Sequence, residues 1–439
     1  MEYCDINDSI RLIVDYKESF ITTIGCLLPA GSMFEKFKER GSALFLEHVL
    51  FQQTTQRSGQ QIEKKLQEIG GTLIANAMRD IFVFYGTAPS CNASKLAELL
   101  VDVAMNTVIC NNDVELAKCR ILKQLCKIGS NPEQVIMDYL PNIAYQDTAL
   151  SKSVFPESRI IKDFKTEYLV SFKNRMFNSY FMTMICSGAI TLNELQKIAC
   201  KYITESTQEI KTSSCKLNSF PGLKQLRFSG AELRFRDDDE ELGYVAIGFE
   251  GPTFSKSEDR YAFEVAKEII GTWDMTHGGA NHNAPYLAHS AFNTNMCYSY
   301  KSFILDYACN SIWGCYFVCN KLKLDDMVSM LLHEWRRLST TITGMEVQRA
   351  VNKCMFHELM KLNDPVNRFF DIVNCLYLRD CYEPMNDRLT GYKKITTNTI
   401  REVASKYIHD QSPVVVALGR IENLTDYNTI QRGTYSFCY

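Results

Sequence analysis

No stretch of this 439-residue chain reaches the roughly 18 uninterrupted apolar residues that a membrane span requires, so any association with a membrane runs through partner subunits. An excess of one charge is missing too. The formal net charge is −3 and the pI about 6.2, which leaves no electrostatic case for nucleic acid or for an anionic lipid surface. Seventeen cysteines are present, but they keep no regular spacing and include no C-x-x-C. That argues against a disulfide framework and for reduced thiols in the cytosol or a mitochondrial matrix. The phosphate loop G-x-x-x-x-G-K-[ST], the G-x-S-x-G elbow and the haem-attachment C-x-x-C-H are all absent. The sequence therefore offers no phosphate cradle, no serine nucleophile of that type and no electron carrier of its own. No segment is low-complexity. The opening stretch MEYCDINDSIRLIVDY carries Glu2, Asp5 and Asp8 with a single arginine, Arg11, and reads as neither a transit peptide nor a secretory signal.

What is present is an ordinary folded composition, 46% hydrophobic and 23% charged, in a chain too long for one core and suited to two or three domains. An internal repeat gives the plan. IRLIVDYKESFITTIGCLLPAGSMFEKFKERGSALFLEHVLF predicts strand, charged turn, strand, Gly31, polar loop and helix. AELRFRDDDEELGYVAIGFEGPTFSKSEDRYAFEVAKEIIG predicts the same order, with Gly251 in the place of Gly31. Each half also ends on an apolar strand closed by a glycine, Gly188 in SYFMTMICSG and Gly419 in SPVVVALG. Thr191 with Glu194, Thr343 with Glu346 and Thr399 with Glu402 each fit a helix capping box. Leu324, Met327, Val328, Leu331, Leu332, Trp335 and Leu338 recur at helical spacing and form one core-facing stripe. Residues 206–226 are polar, hold Pro221 and Gly222, and show no period, as a linker does. The expected organisation is an N-terminal domain over 1–205, the linker 206–226 and a C-terminal domain over 227–439.

One helix of the first half asks for chemistry. GSALFLEHVLF, Gly41 to Phe51, is apolar except for Glu47 and His48, and a charged carboxylate in apolar surroundings is costly unless it is paired or coordinated. Helical spacing puts positions 44 and 48 on one face with Glu47 beside them. An inverted zinc peptidase motif, H-x-x-E-H, uses that geometry: two histidines hold the metal and the glutamate takes a proton from its water. Here the run is Leu44-Phe45-Leu46-Glu47-His48, and the first ligand is a leucine.

GSALFLEHVLF, EIGGTLIANAMRDIFVFYGT and the helix DVELAKCRILKQL together resemble the first domain of the pitrilysin-type (inverzincin) metallopeptidases. IIGTWDMTHGGANHNAPYLA, SYKSFILDYACNSIWGCYFVC and the tail EVASKYIHDQSPVVVALGRIENLTDYNTIQRGTYSF resemble one branch of that family over nearly the whole chain. It is the branch of the β-type mitochondrial processing peptidase subunit and core protein 1 of ubiquinol–cytochrome c reductase. The resemblance implies an α+β fold of two homologous α/β-sandwich domains arranged as an open shell. It also implies a third zinc ligand, a glutamate on a later helix. The matching segment is Ala117 to Gln124, AKCRILKQ, so Gln124 stands at the ligand and Ala117 where a supporting acid is usual. Of the three ligands only His48 survives. A neutral amide is a poor zinc ligand and leucine is none, so no metal, no cofactor and no catalytic residue is expected, with Leu44, Glu47, His48 and Gln124 as vestigial positions.

Other sites of possible chemistry are weaker. Asp274, His277, His282 and His289 share one stretch, but their spacing fits no zinc pattern and Gly278, Gly279 and Pro285 mark a solvated loop. Cys315 with Cys319 and Cys119 with Cys126 could each share a helical face, and core packing is the expected role of both pairs. In DYACNSIWG the family commonly has an Asp-Thr-Gly-Leu run, where this chain has Cys309, Asn310, Ser311 and Ile312. The resulting expectation is a non-catalytic, core protein 1-like subunit of mitochondrial respiratory complex III on the matrix side of the inner membrane. Its expected partners are a core protein 2-like or α-type processing peptidase-like subunit and other complex III subunits. The alternative is a β-like subunit of a mitochondrial processing peptidase with lost or residual zinc metallopeptidase activity; a divergent tissue-restricted paralogue is a third possibility.

Overall fold

The computed structural model describes residues 2–6, 10–177, 182–203, 226–252, 257–276, 285–307, 310–379 and 381–435. Among the described residues twelve strands form two six-stranded sheets. The first sheet holds β1 (Glu2–Ile6), β2 (Ile10–Tyr16), β3 (Ile21–Leu28), β4 (Thr72–Ala77), β5 (Phe82–Pro89) and β6 (Thr183–Gly188), in the order β1-β2-β6-β3-β5-β4. The second holds β7 (Ala231–Arg236), β8 (Leu242–Gly251), β9 (Thr272–Asp274), β10 (Ser299–Asp306), β11 (Ser311–Asn320) and β12 (Val414–Gly419), in the order β7-β12-β8-β11-β10-β9. Setting β2 on β7 aligns five strands of each sheet. The pairs β2–β6 and β7–β12 are parallel, and the three pairs that follow in each sheet are antiparallel. The repeat read from the sequence is a repeat of topology. Both closing glycines carry the left-handed backbone that a side chain would strain, with φ of +148° at Gly188 and +90° at Gly419.

The chain divides into two compact units, and both are discontinuous. One comprises residues 1–127, 152–223 and 360–382; the other comprises 128–151, 224–359 and 383–439. In the first, Leu12, Val14, Ile24, Cys26 and Phe84 face one core. Their alternates look the other way: Tyr85 meets Phe369 at 5.5 Å between ring centres, and a Cβ on Gly25 would strike the same ring. Phe369 lies on the helix Pro365–Arg379, tied to β2 by Arg368 and Asp15 at 2.5 Å. In the second unit Val245, Ile247, Trp313 and Cys315 face one core, while Ala246, Ile312, Val414 and Val416 face another that includes Ile136, Leu140 and Tyr145. Ile136 and Leu140 belong to the helix Pro132–Ala144. Both strands are buried along nearly their whole length, β3 over Thr22–Leu28 and β11 over Ser311–Cys319, so neither alternates between buried and exposed residues.

Most local signals hold. Leu324–Ser339 is a helix that buries Leu324, Met327, Val328, Leu331, Trp335 and Leu338, with Leu332 packed at the margin. The boxes Thr191–Glu194 and Thr343–Glu346 form reciprocally. The third does not: the helix Thr397–Tyr407 is capped one turn earlier by Thr396, which accepts from Thr399 N. Thr399 is thus already inside the helix. The linker expected over 206–226 lies, except for Leu226, outside the described residues. Among the described residues no helix is long and apolar enough to cross a membrane.

Candidate functional site

Two helices and one strand carry the site: of α1 (Ser42–Val49), α2 (Gly59–Ile69), α3 (Ala93–Asn106) and α4 (Asn111–Gly129), α1 and α4 hold it beside β4. The start of α1 has no capping side chain at Gly41, whose φ is +92°. Glu35, only 3% exposed, does that work from the preceding loop. Its two carboxylate oxygens accept from the backbone N–H groups of Gly41 and Ala43, each at 2.8 Å, satisfying donors that a helix leaves open. Burial pushes the Glu35 carboxyl up to about 8 against those hydrogen bonds and the nearby Lys152. The sequence reading missed Glu35; its only signal was an acid in the polar loop ahead of an uncapped helix.

From that anchored start α1 buries Ala43, Leu44, Phe45, Leu46 and Val49, and Phe45 stacks on Phe164 with ring centres 4.0 Å apart. Leu44, at the first ligand position, is 1% exposed and part of this core. Ala117 is equally buried, because α4 packs inward through Val114, Ala117 and Ile121. The remaining three positions come together. His48 Nε2 lies 2.8 Å from Gln124 Oε1, and Glu47 Oε2 accepts from Ala77 N on β4 at 3.0 Å. Burial raises the Glu47 carboxyl above its ordinary value; the Ala77 N–H, the His48 ring and a hydrogen bond from Gln124 pull it back.

This donor set does not fit a catalytic zinc. Leu44 has no lone pair and sits in hydrocarbon. Gln124 presents a neutral amide oxygen already facing His48 Nε2, so ring and amide satisfy one another. Among the described residues no cluster of three or more His, Cys, Asp or Glu is placed to hold a metal ion. In the H-x-x-E-H arrangement the glutamate acts on a water that the bound metal has made acidic.

The secondary candidates resolve separately. Asp274 Oδ1 accepts from Thr276 N at 2.9 Å and Thr276 Oγ1 at 2.7 Å, a local turn, and His289 faces Asn293; His277 and His282 lie outside the described residues. Cys315 and Cys319 are core residues as expected, but on strand β11 and not on a helix. Cys119 and Cys126 correct the expectation: both are exposed on α4, since they fall opposite its buried face. Asn310 donates to Glu250 Oε1 at 3.2 Å and Ser311 Oγ to the Pro252 carbonyl at 2.9 Å, Ile312 is buried, and Cys309 lies outside the described residues.

Comparison with known proteins places this geometry in a lineage. Residues 12–157 match the family described as Insulinase (Peptidase family M16), and residues 163–354 match the Peptidase M16 inactive domain. The mitochondrial-processing peptidase subunit beta of Mus musculus is 31% identical over 97% of this chain and 86% of its own length. The cytochrome b-c1 complex subunit 1, mitochondrial, of the same organism is 30% identical over 98% of this chain and 88% of its own length. A chain of the solved complex III2 from Candida albicans, Inz-5 bound, shares the fold with a TM-score of 0.86 at 20% identity, covering 99% of both chains. The chain therefore belongs to peptidase family M16, as a two-domain member whose relatives include both a processing peptidase subunit and a cytochrome b-c1 subunit.

Proposed function

We propose that this chain is a non-catalytic structural core subunit of mitochondrial ubiquinol–cytochrome c reductase, assembled on the matrix side of the inner membrane with a core protein 2-like partner. One observation carries the reading. At the positions where the resemblance expects three zinc ligands, the chain has a core leucine, a histidine and an amide bonded to that histidine. Full-length similarity to a b-c1 subunit supports the assignment. The equal similarity to a processing peptidase beta subunit sustains a second reading, in which the chain joins a processing peptidase without supplying its zinc.

Native electrophoresis of mitochondrial extracts, followed by mass spectrometry of the intact complex, separates the two. Co-migration with the other subunits of the reductase supports the structural assignment. Co-migration with a processing peptidase α-type subunit alone favours the second reading, and a protein that stays cytosolic and joins neither overturns both.

A further inference from the structure

We propose that the second unit holds a cation site at the corner of its sheet that matches the candidate site of the first, and that the guanidinium of Arg260 is the cation that fills it. Strand register defines the corner. In the first sheet Phe82, which opens β5, pairs with Leu28 at the end of β3 and with Ala77 at the end of β4. In the second sheet Ser311, which opens β11, pairs with Gly251 at the end of β8 and with Asp306 at the end of β10. Asp306 therefore stands where Ala77 stands, and Ser257–Ile270, the first helix after β8, stands where α1 stands.

In the first unit the helix reaches this corner with an acid, since Glu47 accepts from Ala77 N at 3.0 Å. In the second unit it reaches the corner with a base. Arg260 Nε donates to Glu264 Oε1, one turn further on, at 2.8 Å, and Arg260 Nη2 lies 3.9 Å from Asp306 Oδ2. The other Glu264 oxygen accepts from the hydroxyl of Tyr392, on the helix Met385–Lys393. The Glu264 side chain is only 24% exposed, and a carboxylate so far withdrawn from water needs a countercharge. One planar guanidinium can serve two carboxylates at once, so the sheet corner and its helix meet on Arg260. A recess lined by Arg260, Glu264, Asp306 and Ser311 gives a free cation of the same shape a way in once that side chain is removed. This role does not depend on which complex the chain joins.

Chemical rescue tests the site on the full-length chain, in the assembly in which it purifies. Arg260→Ala leaves Glu264 and Asp306 without their shared cation and is expected to lower the melting temperature by about 5 °C. Guanidinium chloride at tens of millimolar, well below the molar range in which it denatures, should return at least half of that loss. Urea, of the same shape but uncharged, and sodium chloride at the same concentration should return none. Adding Glu264→Gln to Arg260→Ala should abolish the rescue. Arg260→Gln, which keeps most of the volume and loses the charge, takes the place of Arg260→Ala if that variant does not fold. A variant as stable as the wild type overturns the site, as does one that regains nothing with guanidinium, responds equally to urea, or is still rescued after Glu264→Gln.

Discussion

His48 Nε2 and Gln124 Oε1 face each other at 2.8 Å, each the hydrogen-bond partner of the other. A ring nitrogen that carries a proton toward an amide has no lone pair for a metal. The purified chain should therefore retain no stoichiometric zinc after loading and desalting. About one zinc per chain by elemental analysis, lost on His48→Ala, would contradict this.

Restoring ligands tests the site position by position. Leu44→His alone should give no peptidase activity, and it should destabilise the fold by about 2–3 kcal/mol because it puts a polar ring into a core site. With Gln124→Glu added, some zinc affinity should return, with turnover still limited by Ala117 and the run around Asn310. Equal zinc binding by the single and double variants would show that position 124 plays no ligand role.

A pH dependence resides in the second unit. Glu334 is buried, and desolvation raises its carboxyl from 4.5 to about 7 against the pull of Arg337. The fold prefers the protonated acid, so this group's contribution is most favourable below about 4.5 and is lost as pH rises toward 7. The stability of Glu334→Gln relative to wild type should accordingly rise across that window and level off above it. Denaturant titrations at several pH values give the slope, and a difference that falls with pH would reverse the assignment.

Asp102 anchors the segment that follows α1. Wholly buried, it pairs with Arg57 and accepts from Thr54 Oγ1 and Asn106 Nδ2, each at 3.0 Å. Removing the buried carboxylate takes away the shared acceptor of Arg57, Thr54 and Asn106, so Asp102→Ala should cost about 3–5 kcal/mol. A shift in denaturation midpoint equivalent to less than about 1 kcal/mol would mean that water replaces the lost partner.

Partnership should show in stability. If the structural assignment holds, the chain expressed alone should aggregate or melt early, and co-expression with a core protein 2-like subunit should raise its melting temperature in a concentration-dependent way. A well-folded monomer indifferent to that partner would count against it.

Local chemistry made much of this legible. Strand, turn and helix followed from apolar period and glycine placement, so both halves could be laid out from IRLIVDY and AELRFR onward. Leu44 and Gln124 were singled out through the resemblance to the metallopeptidases, which supplies the ligand positions against which zinc chemistry reads them as unsuitable. Residues whose role depends on distant packing were not legible. Cys119 and Cys126 share a face of α4, but only the buried Val114, Ala117 and Ile121 decide which face turns inward. Thr396 won the cap from Thr399 by lying one turn earlier, and Glu35 reaches α1 across a loop that no helical period describes.

The helix Pro365–Arg379 completes the first unit from far along the chain. During synthesis the sheet face bearing Gly25 and Tyr85 leaves the ribosome long before Phe369 exists to cover it. Domains ordinarily fold in N-terminal order as they emerge, but here the first sheet must wait, one apolar face bare, while most of the second is translated. A chain cut before Pro365 lacks the helix that covers this face, and its first sheet would keep Gly25 and Tyr85 bare.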